Sequence, residues 1–202
     1  MTKIKLCGLS RKEDIEAANA LRPDYIGFVF AEKSKRHVSC EQAAALRQTL
    51  CPDIRAVGVF VNEKPGRVAE LLSRGVIDIA QLHGAEDGAC LAALRRLTDK
   101  PILQAFRIRG REDVTQAANS AADFVLLDSG AGTGTAFDWR LLADIHRPYF
   151  LAGGLDTDNV REAIRLLQPY AVDVSSGIET DGVKDKKKMT AFVAAVRKEE
   201  KR

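Results

Sequence analysis

The chain has 202 residues, 46% hydrophobic and 29% charged, with 31 basic and 28 acidic side chains, enough for one domain with a substantial core. A net charge of +3 is too mild for a nucleic-acid protein and suits an anionic small molecule, and no apolar run reaches the roughly 18 residues of a membrane span. Met1–Lys5 lacks the apolar stretch of a secretion signal, and Cys7, Cys40, Cys51 and Cys90 show no C-x-x-C or finger spacing, so a reduced, cytoplasmic protein is expected.

The first β-rich run, Ile4–Cys7, ends in Cys7-Gly8, with Ser10 as the expected cap of the next helix. A thiol at a strand tip beside a helix start can be held as a thiolate and serve as base or nucleophile. Lys5 shares the strand face of Cys7 and reads best as a buried lysine paired with Asp or Glu. After the second run, Tyr25–Phe30, comes the charged loop Ala31–Val38, where Arg36 is placed to clamp a carboxylate with a bidentate pair. Ser39 is the expected cap of a helix through Ala43, Leu46 and Leu50.

The third run, Arg55–Val61, precedes the helical stripe Val68, Leu71, Leu72, which Gly75 closes. The fourth, Ile77–Leu82, leads into His83, a candidate substrate contact or an ordinary hydrogen-bonded histidine. Ile102–Phe106 is the fifth. The sixth, Phe124–Asp128, closes on a carboxylate that either caps a turn or acts as acid or base. A glycine loop follows, Gly130–Thr135. The seventh, Tyr149–Ala152, runs into Gly153-Gly154, and Asp158 is the expected cap of the stripe Val160, Ala163, Ile164, Leu167. The eighth, Ala171–Ser175, carries Asp173 and leads into Ser176-Gly177, before a last stripe of Met189, Phe192, Val193 and Val196.

These runs recur about every 24 residues. Eight strands alternating with eight helices predict a (β/α)₈ TIM barrel, a single compact domain over residues 1–202. A doubly wound sheet is the alternative and gives no reason for a count of eight. In a barrel the strand C-termini form the active face. Gly153, Gly154, Ser176 and Gly177, after strands seven and eight, predict a phosphate site. Asp128 and Asp173, if both point inward, would hold one carboxyl protonated, expected to be Asp128, with Cys7 as the base. His37 and His146 are scattered, so no metal is expected.

Lys5-Leu6-Cys7-Gly8, Gly27–Phe30, Ser34 with Arg36 and Val38, Val57–Asn62, Gln81–Gly84, Gly132-Thr133-Gly134 with Phe137-Asp138-Trp139, Leu151–Leu155, Asp173–Glu179 and Lys184-Asp185 occur in this order over nearly the whole chain. In this set the chain resembles the phosphoribosylanthranilate isomerase family. The resemblance implies a barrel that carries out, without a cofactor, the Amadori rearrangement of N-(5′-phosphoribosyl)anthranilate to 1-(2-carboxyphenylamino)-1-deoxyribulose 5-phosphate, the third step of tryptophan synthesis from chorismate. It implies Cys7 as general base, Asp128 as general acid, Arg36 on the anthranilate carboxylate, and Gly153, Gly154, Ser176 and Gly177 on the phosphate. His83 and Asp173 are further candidate substrate contacts. Lys35 stands where proline is common before the arginine. The anionic substrate opposes a thiolate, and helix N-termini with Arg36 are the expected compensation. The implied partner is that one small phosphosugar–anthranilate substrate, with no nucleic acid or membrane, in a monomer or homodimer. The alternatives are another phosphosugar barrel isomerase, such as an aminoimidazole-carboxamide ribotide isomerase with aspartate in place of Cys7, and a barrel that binds phosphosugars without catalysis.

Overall fold

Eight parallel strands pair in chain order: β1 (Lys3–Cys7), β2 (Tyr25–Val29), β3 (Arg55–Phe60), β4 (Ile79–Leu82), β5 (Ile102–Arg107), β6 (Phe124–Asp128), β7 (Tyr149–Ala152) and β8 (Ala171–Val174). β8 pairs back with β1, so the sheet closes as the expected barrel. The computed structural model describes residues 1–128, 141–142 and 145–199. Each predicted run is a strand, with some ends moved by a residue or two: Phe30, Val61 and Ser175 lie just past β2, β3 and β8, and β4 begins at Ile79. The predicted loop Gly130–Thr135 and the Phe137-Asp138-Trp139 motif lie outside the described residues.

Seven α-helices are found among the described residues: α1 (Lys12–Leu21), α2 (Cys40–Thr49), α3 (Pro65–Ser73), α4 (Gly88–Arg95), α5 (Arg111–Ala118), α6 (Val160–Leu167) and α7 (Lys186–Glu199). Eight were expected, and the difference falls between β6 and β7. The predicted stripes are buried, Val160, Ala163 and Ile164 in α6 and Met189, Phe192, Val193 and Val196 in α7. Ser39 caps α2, its oxygen accepting from Gln42 N–H at 3.1 Å. Ser10 and Asp158 do not cap. Asp14, at the third position of α1, reaches back to accept the N–H groups of Ser10 and Arg11 at 3.0 and 3.1 Å. Asp156, ahead of α6, reaches forward to accept the N–H groups of Asp158 and Asn159. A carboxylate that takes two donors displaces a nearby residue from the cap.

Period-two alternation along the strands separates two apolar layers. The outward faces join the helices in one large cluster. Inside the barrel Tyr25, Val57, Ile79, Leu103, Leu126, Phe150 and Ala171 fill the lower half. Two residues further along each strand the same face carries Gly27, Val59, Gln81, Ala105, Asp128, Ala152 and Asp173. The interior thus changes from bulky and apolar to small and polar toward the strand C-termini, which opens a mouth there. At the other end the register is pinned by a recurring device. Asp24, Asp78 and Asp123, at the entries of β2, β4 and β6, accept the N–H groups of Ile4, Ala56 and Ile102 at 2.9, 2.8 and 2.7 Å.

Candidate active site

The strand C-termini enclose a cavity of about 340 Å³. It brings together Cys7, Arg36, His83, Asp128, Gly153, Gly154, Asp173 and Ser176, eight of the nine predicted site residues. Gly177 is not on its wall. A larger groove of about 590 Å³, over Leu91, Gln104 and Phe106 outside the barrel, carries none of them.

Cys7 ends β1 with its side chain buried. Gly27 on β2 makes room for it, because a Cβ there would stand 2.7 Å from the sulfur. Lys5, one inward position deeper, is fully buried, and its Nζ donates to Asp173 Oδ1 at 2.9 Å. This is the predicted pairing of a buried lysine with a carboxylate. Burial pushes the Cys7 thiol above its ordinary value, and the nearby ammonium of Lys5 pulls against that. Burial also opposes the charge on Lys5, but Asp173 and Cys7 outweigh it and hold the ammonium protonated above its usual range. One cation is therefore shared between a carboxylate and a thiol.

Two electrostatic expectations are revised here. Compensation for the thiolate comes chiefly from Lys5, with smaller attractions from Lys184 and from the predicted Arg36. The N–H groups before α1 are already taken up by Asp14. Nor does Asp173 press on Asp128 as a bare like charge, since Lys5 balances it. The group beside Asp128 is His83, with Nε2 3.5 Å from Asp128 Oδ2. His83 Nδ1 lies 2.7 Å from Nε2 of the buried Gln81.

Arg36 is anchored on one side. Its Nε and Nη2 donate to the two oxygens of Glu179, both at 2.6 Å. Glu179 also accepts from Lys184 Nζ at 2.5 Å, and Lys184 donates to the carbonyl of Ser175 at 2.9 Å. Glu179 and Lys184 stand on the paired strands of a tight hairpin, β9 (Glu179–Thr180) and β10 (Val183–Lys184), which follows a 3₁₀ turn at Ser176–Ile178. The side-on fork of Arg36 is thus occupied, and its end-on Nη1/Nη2 edge is the part left to meet a second carboxylate. The loop is further held by Ser34, whose Oγ accepts from Arg36 N–H at 3.1 Å, so Lys35 does not leave the arginine untethered. Sequence reasoning gave Glu179 and Lys184 no role. Strands of two residues carry no readable period, and the available signal was the Glu179-to-Lys184 spacing.

Burial opposes ionisation of Glu179, yet its bonds from Arg36 and Lys184 outweigh it and hold the carboxyl below its ordinary value. Its contribution to stability is therefore complete above the ordinary carboxylate pKa of about 4.3 and is lost as pH falls through the lower folded-state value. Glu179→Gln is expected to raise KM about tenfold, the effect of one weakened charged contact, with kcat within about twofold. It should also remove this component of the acid unfolding curve. Steady-state kinetics and thermal melts between pH 3 and 7 check both.

The glycine loops meet where predicted. Gly153 and Gly154 have φ of 91° and 63°, the left-handed region that favours glycine. The Gly154 carbonyl accepts from Asn159 Nδ2 at 2.8 Å. A Cβ on Gly177 would collide with the carbonyl oxygen of Leu155. Gly177 therefore serves by close approach, letting the loop after β8 lie against the loop after β7 so that Ser176 and Gly153-Gly154 share one wall.

A base candidate, an acid candidate, an arginine and paired glycine loops around one barrel mouth fit proton transfer on a phosphorylated, carboxylated substrate. The family profile described as N-(5′-phosphoribosyl)anthranilate (PRA) isomerase matches residues 4–195. The N-(5′-phosphoribosyl)anthranilate isomerase of Endomicrobium trichonymphae is 44% identical over 98% of this chain and 99% of its own length. The crystal structure of phosphoribosyl anthranilate isomerase from Thermotoga maritima superposes with a TM-score of 0.90 at 34% identity, covering 98% of this chain and all of that one. A second solved phosphoribosyl anthranilate isomerase, in complex with reduced 1-(o-carboxyphenylamino)-1-deoxyribulose 5-phosphate, aligns at a TM-score of 0.88 and 34% identity, over 98% of this chain and all of its own. Fold, mouth and sequence agree, and the chain belongs to the N-(5′-phosphoribosyl)anthranilate isomerase family.

Proposed function

We propose that Cys7 and Asp128 divide the proton transfers of an Amadori rearrangement in this mouth, with the barrel of residues 1–202 acting as one catalytic domain. The chain is an isomerase acting on N-(5′-phosphoribosyl)anthranilate in tryptophan biosynthesis. The observation that carries the division of labour is placement. Cys7 on β1 and Asp128 on β6, three strands apart around the closed ring, line one cavity, with Arg36 and the glycine loops also on its wall.

Asp128 protonates the ribose ring oxygen, the C1′–O bond breaks, and the ring opens to an iminium. Cys7 thiolate removes the C2′ proton, and the electron pair neutralises the iminium to give an enolamine. A proton then leaves the C2′ hydroxyl and another is gained at C1′, which yields the ketone. Solvent returns the proton from Cys7 to Asp128. Arg36 holds the anthranilate carboxylate on its end-on edge, and the loops of Gly153, Gly154, Ser176 and Gly177 hold the phosphate. Asp173 and His83 contact the sugar between them. The substrate is a small anion bound without nucleic acid or membrane, by a reduced cytoplasmic monomer or homodimer.

A purified sample given N-(5′-phosphoribosyl)anthranilate is expected to consume it, followed by anthranilate fluorescence, at a rate unchanged by a chelator. Substrate binding without consumption would favour a barrel that binds phosphosugars and does no chemistry.

A further inference from the structure

Gln81 lies between apolar Ile79 and His83 on the inward face of β4. Its side chain is 1% exposed, and it lines the mouth cavity. One end of the amide is engaged by His83, at 2.7 Å from Nε2 to Nδ1. The other end, Oε1, is buried with no hydrogen-bond partner among the described residues. Burying an acceptor without a donor is unfavourable, and a leucine or methionine would fill the same space without that penalty. Packing therefore does not account for the amide.

We propose that Gln81 is a substrate-contacting residue whose Oε1 accepts the proton of a sugar hydroxyl, and whose Nε2–H fixes His83 as the tautomer protonated on Nε2. The proposal rests on the isomerase reading of the mouth. A carbonyl oxygen repels phosphate and carboxylate, and those two groups have cationic or N–H partners elsewhere on the wall. The neutral donors that remain on the substrate are its sugar hydroxyls and the anilino N–H, and that N–H is directed at its own ortho carboxylate, which leaves the hydroxyls. An amide N–H can only donate, so Nδ1 of His83 accepts and its proton sits on Nε2, the nitrogen facing Asp128 at 3.5 Å. That N–H favours the carboxylate Asp128 becomes once it has given up its proton. Gln81 thus acts on the sugar directly and on the acid through His83.

Two measurements test this. Nitrogen-15 NMR of the unliganded wild type at pH 8 should show His83 protonated on Nε2 and bare on Nδ1; the opposite tautomer overturns the proposal. Calorimetry with reduced 1-(o-carboxyphenylamino)-1-deoxyribulose 5-phosphate should show Gln81→Met binding about tenfold more weakly, with unchanged affinity for inorganic phosphate. The melting temperature of the variant should stay close to that of wild type, because the loss of the bond to His83 is offset by the removal of an unsatisfied buried acceptor. Probe affinity within twofold of wild type, or a lowered melting temperature with affinity intact, overturns the contact. If wild type neither binds the probe nor turns over substrate, the isomerase reading fails instead.

Discussion

Cys7→Ser is expected to lower kcat by about three orders of magnitude, the scale of losing a positioned general base, with affinity for inorganic phosphate unchanged. The hydroxyl nearly preserves shape but not acidity, and Asp173, the carboxylate that acts on this position among the described residues, is paired with Lys5. Lys5 favours an anion at this position and so cannot act as a base toward the serine. The loops proposed to hold the phosphate follow β7 and β8, so the loss should fall on kcat rather than on phosphate binding. Single-turnover fluorescence together with phosphate calorimetry checks both halves. Turnover within tenfold of wild type would remove Cys7 from the chemistry.

Asp128→Asn should cost a similar factor for a different reason. The amide keeps the contact distance to His83 but has no proton acidic enough to give the ring oxygen. Ring opening is then the blocked step, and the variant should still bind the reduced ligand, whose chain is already open, with near-normal affinity. An asparagine variant that retains turnover would assign the acid elsewhere.

Much of this was legible in the residues. Apolar runs ending in Cys7, His83, Asp128 and Gly153 predicted both a barrel and its active face, because a strand C-terminus in a barrel is a fixed address. The pairing of Lys5 followed from a lysine inside an apolar strand. What escaped was long-range and polar. Asp14 takes over one helix start by reaching back to Ser10 and Arg11, and Asp156 another by reaching forward to Asp158 and Asn159, a choice propensity alone does not rank. Glu179 and Lys184 act through a hairpin too short to show a period. Gln81 was readable as a polar residue amid apolar neighbours on β4, yet its meaning depended on finding one end of its amide engaged and the other bare. The account of the thiolate moved most. The sequence put the compensating charge on Arg36 and a helix start, whereas the fold places Lys5 below Cys7 as the chief cation and leaves Arg36, held by Glu179, a lesser one.

The ionisation of Cys7, a thiol pushed up by burial and held back by Lys5, is expected to set the rate. The most direct test is the pH dependence of kcat/KM in wild type beside Cys7→Asp. The wild-type rate should rise with pH through an inflection above the ordinary cysteine range, and aspartate should move that rise several units toward acid. An identical rise in the two proteins would contradict the account, because the titrating base would then be some other group.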